Sequence, residues 1–158
     1  MDIDLLLTEY SAGPAVLRRT LENIKDSELD RLPDADTWSI RQVICHLADT
    51  EIVYADRIKR VLVEDNPTLF AWSPNKSVRD EYCRNRDVGD ELAVITTTRC
   101  HIAGILRHQE VECWQRTAVH SQDGPMTLET LLERITEHIP HHVRFIEQKH
   151  AAIRTGCA

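Results

Sequence analysis

The sequence predicts an all-α protein, a four-helix bundle with a longer connection between its second and third helices. Three observations carry this prediction. Four stretches of about twenty or more residues repeat their apolar side chains at steps of three and four, the pattern of a helix with one buried face. Only five glycines and six prolines punctuate the 158 residues. No segment alternates apolar and polar residues strongly enough to read as a strand.

The first pattern runs from about Ile3 to Ile24, with Leu5, Leu6, Tyr10, Val16, Leu17, Leu21 and Ile24 inward. Gly13-Pro14 interrupts it. Proline has no amide donor and crowds the carbonyl four residues back, so the pattern fits one kinked helix or two short ones. The second pattern begins at Ser39, a capping residue, with Gln42 three positions on to complete a capping box. Trp38 and Val43 stand where a hydrophobic staple places its two members. Ile40, Val43, Ile44, Leu47, Tyr54, Ile58, Val61 and Leu62 continue the stripe to about Val63, where Asp65-Asn66-Pro67 stops it.

Residues 66–87 form the long connection, with Phe70, Trp72, Val78 and Tyr82 expected over one end of the bundle and a short helix near Val78. The third helix is expected from about Gly89 to Val111, with Leu92, Ile95, Ile102, Ile105 and Leu106 inward. Thr117 to Met126 reads as a mostly polar loop around Gly124-Pro125. Thr127 can cap the fourth helix, which continues to about Ile153. Without a linker or a repeat, residues 1–158 read as one domain.

Composition narrows the function. The net charge is −7. Affinity for nucleic acid rests on Lys and Arg neutralising phosphates, so an acidic chain without a basic stripe argues against that partner. No apolar run is long enough to cross a membrane, and the start, Met1-Asp2-Ile3-Asp4, lacks a basic leader region. Five cysteines, Cys45, Cys83, Cys100, Cys113 and Cys157, form no C-x-x-C pair, which fits free thiols in a reducing cytoplasm.

The chemistry concentrates in histidine. On the last helix Leu131, Ile135, His138, His142 and Phe145 share one face. A buried imidazole without a partner costs about 1–3 kcal/mol, and two side by side suggest a shared divalent metal. Eight histidines in this length produce about 0.4 such i, i+4 pairs by chance, so the pair needs a third ligand. His46 lies at the edge of the second helix's inward stripe, one residue before Leu47. Three neutral nitrogens with an open fourth position are the coordination of a catalytic site, whereas structural zinc usually takes four protein ligands.

The stretch Trp38-Ser39 to His46-Leu47 and Glu51 resembles the signature that opens the second helix in the DinB-like (damage-inducible B) superfamily. The run from His120 through Gly124 and Met126-Thr127-Leu128 resembles the approach to that family's last helix, and His138-Ile139-Pro140-His141-His142 its H-x-x-H-H segment. The resemblance spans almost the whole chain. It implies a bundle binding a divalent metal, zinc or nickel first, at His46, His138 and His142. It also implies an activity among metal-dependent hydrolases or thiol-dependent transferases and isomerases, with a low-molecular-weight thiol as a candidate cosubstrate. A homodimer is common in such proteins, although no stripe here marks its interface.

Other residues are weighed against this set. His141 follows His138 by three but shares its strip with Thr130 and Arg134, which favours a surface position or one supporting the ligands. Asp49 and Thr50 lie one turn beyond His46; Asp49 is the candidate catalytic residue, orienting an imidazole or taking a proton from water, with a solvated carboxylate as the equal alternative. Glu51 and Glu137 are less favourably directed. Cys45 points about 100° away from His46 around the helix and reads as a core thiol. His101, His108, His120 and His150 read as surface histidines. Pro140 bends the last helix, either as a tolerated kink or to set the angle between its two histidines.

Two function classes follow. The first is an enzyme whose metal lowers the pKa of water toward about 7, or activates a thiol, for attack on a small-molecule substrate. The second is a non-catalytic bundle that binds a metal or a small molecule. A structural metal would recruit a fourth ligand, and chelation would unfold the protein.

Overall fold

The computed structural model describes residues 2–32 and 37–156, with Asp80 described by its backbone alone; Cys157 falls outside this range. Helix α1 (Ile3–Leu21) starts at Asp2, whose Oδ1 accepts from the amides of Asp4 and Leu5 at 3.1 Å. It runs through Gly13-Pro14 as a single helix, so neither break nor division occurs there. Leu7 rather than Leu5 joins the core; Leu5 is exposed. A single turn, α2 (Asp26–Leu29), follows.

Helix α3 (Ile40–Val63) has the expected ends. Ser39 Oγ accepts from the Gln42 amide at 3.2 Å, and Gln42 Oε1 accepts from the Ser39 amide at 2.7 Å. Ser39→Ala is expected to cost about 1 kcal/mol, read as a lower urea midpoint with an unchanged m-value.

The long connection contains β1 (Thr68–Leu69) and two single turns, α4 (Pro74–Ser77) and α5 (Asp80–Cys83). Only Val78 of its four expected apolar anchors is buried; Phe70 is 75% exposed, and Trp72 and Tyr82 also face outward. Backbone-directed bonds fix this segment instead. Gln42 Nε2 donates to the Val78 carbonyl at 2.7 Å, and Arg41 Nη1 donates to the Arg86 carbonyl at 2.7 Å.

Helix α6 (Val88–Leu106) ends five residues earlier than the sequence suggests. Beyond Leu106 the run Arg107-His108-Gln109-Glu110 has no apolar side chain to bury. A 3-10 turn (Val111–Gln115) then places Trp114 in the core.

The expected polar loop folds as a hairpin, β2 (Thr117–His120) and β3 (Gly124–Thr127). Strand β2 pairs antiparallel with β3, from Thr117 with Thr127 to His120 with Gly124, and parallel with β1 on its other side. Gly124 adopts φ +78°, a left-handed conformation that glycine takes without strain. Pro125 is tolerated because β3 is an edge strand. Four-residue strands with one or two buried side chains are too short to show a period of two. Helix α7 (Leu128–Thr155) is capped by Thr127 as expected.

The dominant helix pairs are α1 with α7, α7 with α3, α3 with α6, and α6 with α1. Consecutive long helices α1 and α3, and likewise α6 and α7, therefore lie across diagonals, unlike simple up-down-up-down order. The core divides into one apolar cluster around Leu6, Ile58, Ile102 and Leu131 and another around Leu17, Ile44, Ile95 and Ile146. No helix among the described residues is long and apolar enough to cross a membrane.

Arg99 stands between the clusters, 1% exposed. Its Nε donates to Glu51 Oε1 at 2.7 Å, its Nη1 to the Tyr10 carbonyl at 2.9 Å and its Nη2 to the Ile135 carbonyl at 2.6 Å, so one side chain ties α6 to the three other long helices. Pro14 explains the first carbonyl: with no amide at position 14, Tyr10 has lost its helical donor, and Arg99 replaces it. Gly13 explains the space: a Cβ there would lie 2.3 Å from Arg99 Nη1.

Candidate metal centre

Helices α3 and α7 pack side by side, and this contact brings the three predicted histidines together. His46 Nε2 lies 3.1 Å from His138 Nε2. One ring nitrogen from each of His46, His138 and His142 falls within 4.8 Å of the other two. The rings stand at steep angles to one another, 66–83° between planes, with centroids 4.6–4.9 Å apart. A tetrahedral zinc with Zn–N of about 2.0–2.1 Å spaces its nitrogens about 3.3–3.4 Å apart, so the donor set is of the right size. No fourth His, Cys, Asp or Glu among the described residues joins the cluster.

The electrostatics suit a cation. Burial pulls His46 down to about 4, with the Asp49 carboxylate partly opposing the shift. His138 falls to about 2, first through burial and then through the His142, His46 and Arg99 charges. His142 falls to about 4 for the first two kinds of reason, burial and neighbouring imidazoles. All three are neutral near pH 7, with lone pairs free to ligate. Among the described residues, buried His138 Nδ1 has no hydrogen-bond partner.

Neighbouring side chains hold the ligands. Thr50 Oγ1 sits 3.5 Å from His46 Nδ1, one turn along α3. With Nε2 turned to the cluster, Nδ1–H donates to the threonine, which fixes the tautomer. Thr50→Val is expected to weaken metal affinity about 10–100-fold, measured by competition with a chromogenic chelator. Trp38 stacks 6.3 Å from His142 at 11° and lies 5.1 Å from His46, so the residue read as a helix staple also walls the cluster.

Asp49 faces elsewhere. Its two oxygens accept from Arg86 Nη1 and Nη2 at 3.1 and 2.9 Å, and Arg86 also binds Glu91. Glu51 is committed to Arg99, and Glu137 is exposed. His141 is exposed beside His142 and Phe145. Cys45 is fully buried, and burial pushes its thiol up to about 12. Helix α7 continues through Pro140, which leaves the Thr136 carbonyl without its amide donor.

The cluster opens into a cavity of about 240 Å³. One wall descends α3 from His46 through Thr50, Val53 and Tyr54 to Arg57; the facing wall on α7 carries Arg134 and His138. Trp72 and Met126 add apolar surface. Phe70 is not part of the lining; its carbonyl accepts from Arg57 at 2.8 Å. His120 is a correction to the sequence reading: it is 8% exposed, because β2 turns it into this cavity against Arg57. The sequence held a signal for these residues. His46, Thr50, Val53 and Arg57 follow steps of three and four, as do Arg134, His138 and His142, so two strips that carry ligands also carry the pocket.

Known proteins resemble this chain in sequence and fold. A Bacillus subtilis protein named "Putative metal-dependent hydrolase YfiT" is 28% identical over 141 residues, covering 85% of this chain and 76% of its own. A protein of the same description from Oceanobacillus iheyensis is 26% identical over 140 residues, covering 89% of this chain and 81% of its own. The solved YfiT structure, described as a probable metal-dependent hydrolase with an unusual four-helix bundle topology, superposes with a TM-score of 0.87 at 25% identity, over 97% of this chain and 87% of that one. A mycothiol-dependent maleylpyruvate isomerase shares the fold at a TM-score of 0.72 and 12% identity, over 90% of this chain and 60% of that one. The sequence model of the DinB superfamily matches residues 9–146, a span holding all three clustered histidines, and the chain belongs to that superfamily.

Proposed function

We propose that this protein is a divalent-metal-dependent enzyme, with His46, His138 and His142 as the metal ligands and the adjoining cavity as the substrate pocket. The observation that carries this reading is the convergence of three neutral imidazoles at the head of a cavity, without a fourth His, Cys, Asp or Glu among the described residues. A closed structural site usually takes four protein ligands, and the described residues supply three. A divalent cation there, zinc or nickel, supplies a Lewis acid that makes water or a low-molecular-weight thiol nucleophilic at neutral pH.

The chain's own residues prepare that chemistry. Thr50 orients His46, and the Trp38 ring packs against His46 and His142. Asp49, held by Arg86, acts as a fixed negative charge that makes His46 a better donor. The names of the relatives support water as the nucleophile, hence a hydrolase; the family resemblance supports a thiol, hence an S-transferase. The substrate is a small molecule, and the compartment is the cytoplasm.

Elemental analysis of protein purified without added metal, followed by hydrolase and thiol-transfer screens, tests the reading. About one metal per chain is expected, lost in His46→Ala. A stoichiometry near zero that zinc or nickel addition does not restore overturns it. Activity that requires a thiol selects the transferase, and activity without one selects the hydrolase.

A further inference from the structure

The cavity holds a cation that the metal reading leaves unused. Arg57 is 7% exposed. Its Nη2 donates to the Phe70 carbonyl at 2.8 Å and lies 3.2 Å from His120 Nε2, and its guanidinium carbon sits 5.1 Å from the Tyr54 ring centroid. Among the described residues its Nε and Nη1 meet no acceptor, and no carboxylate forms an ion pair with it. A guanidinium this deeply buried is ordinarily paired with an anion.

The surroundings place the missing anion in the cavity. Asp123, the one carboxylate on its wall, binds Arg134 Nη1 at 2.5 Å. Two arginines against one aspartate leave one arginine on the lining without a carboxylate partner there. This occurs in a chain of net charge −7. The Phe70 carbonyl accepts from one end of the guanidinium and leaves the rest as a preformed donor. His120 is fixed beside it: its Nδ1 accepts from the Asp123 amide at 3.2 Å, which holds the ring against Arg57.

Resting on the proposed function above, we infer that Arg57 anchors the oxyanion of an anionic small-molecule substrate, a carboxylate or phosphate, with the remainder of the molecule extending along Val53 and Trp72 toward His46 and His138. A volume of about 240 Å³ lies below the roughly 300–1,000 Å³ of sites for drug-sized ligands, so the substrate is metabolite-sized. Arg57 is then a specificity-determining residue, selecting which molecules reach the metal.

Calorimetric titration with glutarate, inorganic phosphate and uncharged glutaramide tests this, on the protein as purified and after chelator treatment. Saturable millimolar binding of at least one anion is expected, with glutaramide silent. Glutarate alone binding identifies a carboxylate site, and phosphate binding as well identifies a general oxyanion site; both support the inference. Arg57→Met should weaken the anion at least tenfold, Arg57→Lys much less, and Arg134→Met at most a few-fold. Should Arg57→Met not fold, the Arg57 Nε–H resonance of the ¹⁵N-labelled native protein reads the same contact and should shift on glutarate addition. Absence of anion binding, equal binding of glutaramide, an unchanged Arg57→Met or an unmoved Nε–H resonance each overturn the inference. Anion binding to chelated protein does not depend on the metal, so its failure and that of the metal reading are separate results.

Discussion

Replacing Arg99 with methionine is expected to destabilise the protein by about 3–5 kcal/mol, the cost of stranding a buried charge whose partner is removed. Glu51, fully enclosed, would lose its counter-ion; burial already pushes its carboxyl upward, and Arg99 pulls it back. The Tyr10 carbonyl would lose its Arg99 donor, with no amide at Pro14 to replace it, and the Ile135 carbonyl would lose its bond from Arg99. Gly13→Ala tests the same tie from the other side. Alanine is the better helix former by about 1 kcal/mol, yet its Cβ would press on Arg99 Nη1, and overpacking of this kind costs about 1–3 kcal/mol. Urea unfolding reads both variants. The double variant Arg99→Met/Glu51→Leu should be more stable than Arg99→Met alone, because it no longer buries a lone carboxylate. A double variant no more stable than the single one would show that the carbonyl bonds, not the ion pair, carry the effect.

Zinc at about a thousand times its dissociation constant is expected to raise the stability of chelated protein by about 4 kcal/mol, visible as an increase in melting temperature that His138→Ala abolishes. Protons oppose this. Each clustered histidine titrates lower in the folded protein than its ordinary 6.5, His46 and His142 at about 4 and His138 at about 2. Below 6.5 the unfolded chain binds protons that the folded chain refuses, so ν_U exceeds ν_N and stability rises with pH. The contribution is therefore fully present above pH 6.5 and lost as pH falls from there toward 4, by up to about 1.4 kcal/mol per pH unit for each histidine. Chelated protein unfolded in urea at pH 7.0, 6.0 and 5.0 should show this decline, and His142→Ala should flatten it.

The histidine cluster was legible because its residues sit inside signals of two kinds, helix periodicity and a capped start, and because the family segment surrounds them. Ser39 and Gln42 announced the first residue of α3 and so fixed which face His46 occupies. The hairpin has little pattern to show in the sequence because β2 and β3 bury only three of their eight side chains and Pro125 reads as a turn. Gly13-Pro14 pointed to disruption for a sound local reason, but the donor that rescues the helix lies on α6, 89 residues from Tyr10. Asp49 and Thr50 were separable only by side-chain direction: the longer acid reaches Arg86, and the shorter hydroxyl meets the imidazole. His120 looked superficial because nothing local shows that a strand edge would turn it inward.

The diagonal placement of successive helices has a consequence for the order in which the molecule is made. His46 and its nearest ligand partner stand 92 residues apart in the chain. Helix α3 cannot complete the cluster from its sequence neighbours, since the other two histidines lie on α7. During translation the three imidazoles therefore stay apart until α7 has left the ribosome and docked on α3, and on the proposed metal reading a cation cannot template the earlier helices. Capture of metal by these residues would then report that α3 and α7 have both been made and packed, and a polypeptide truncated before Leu128 is expected to acquire no metal there.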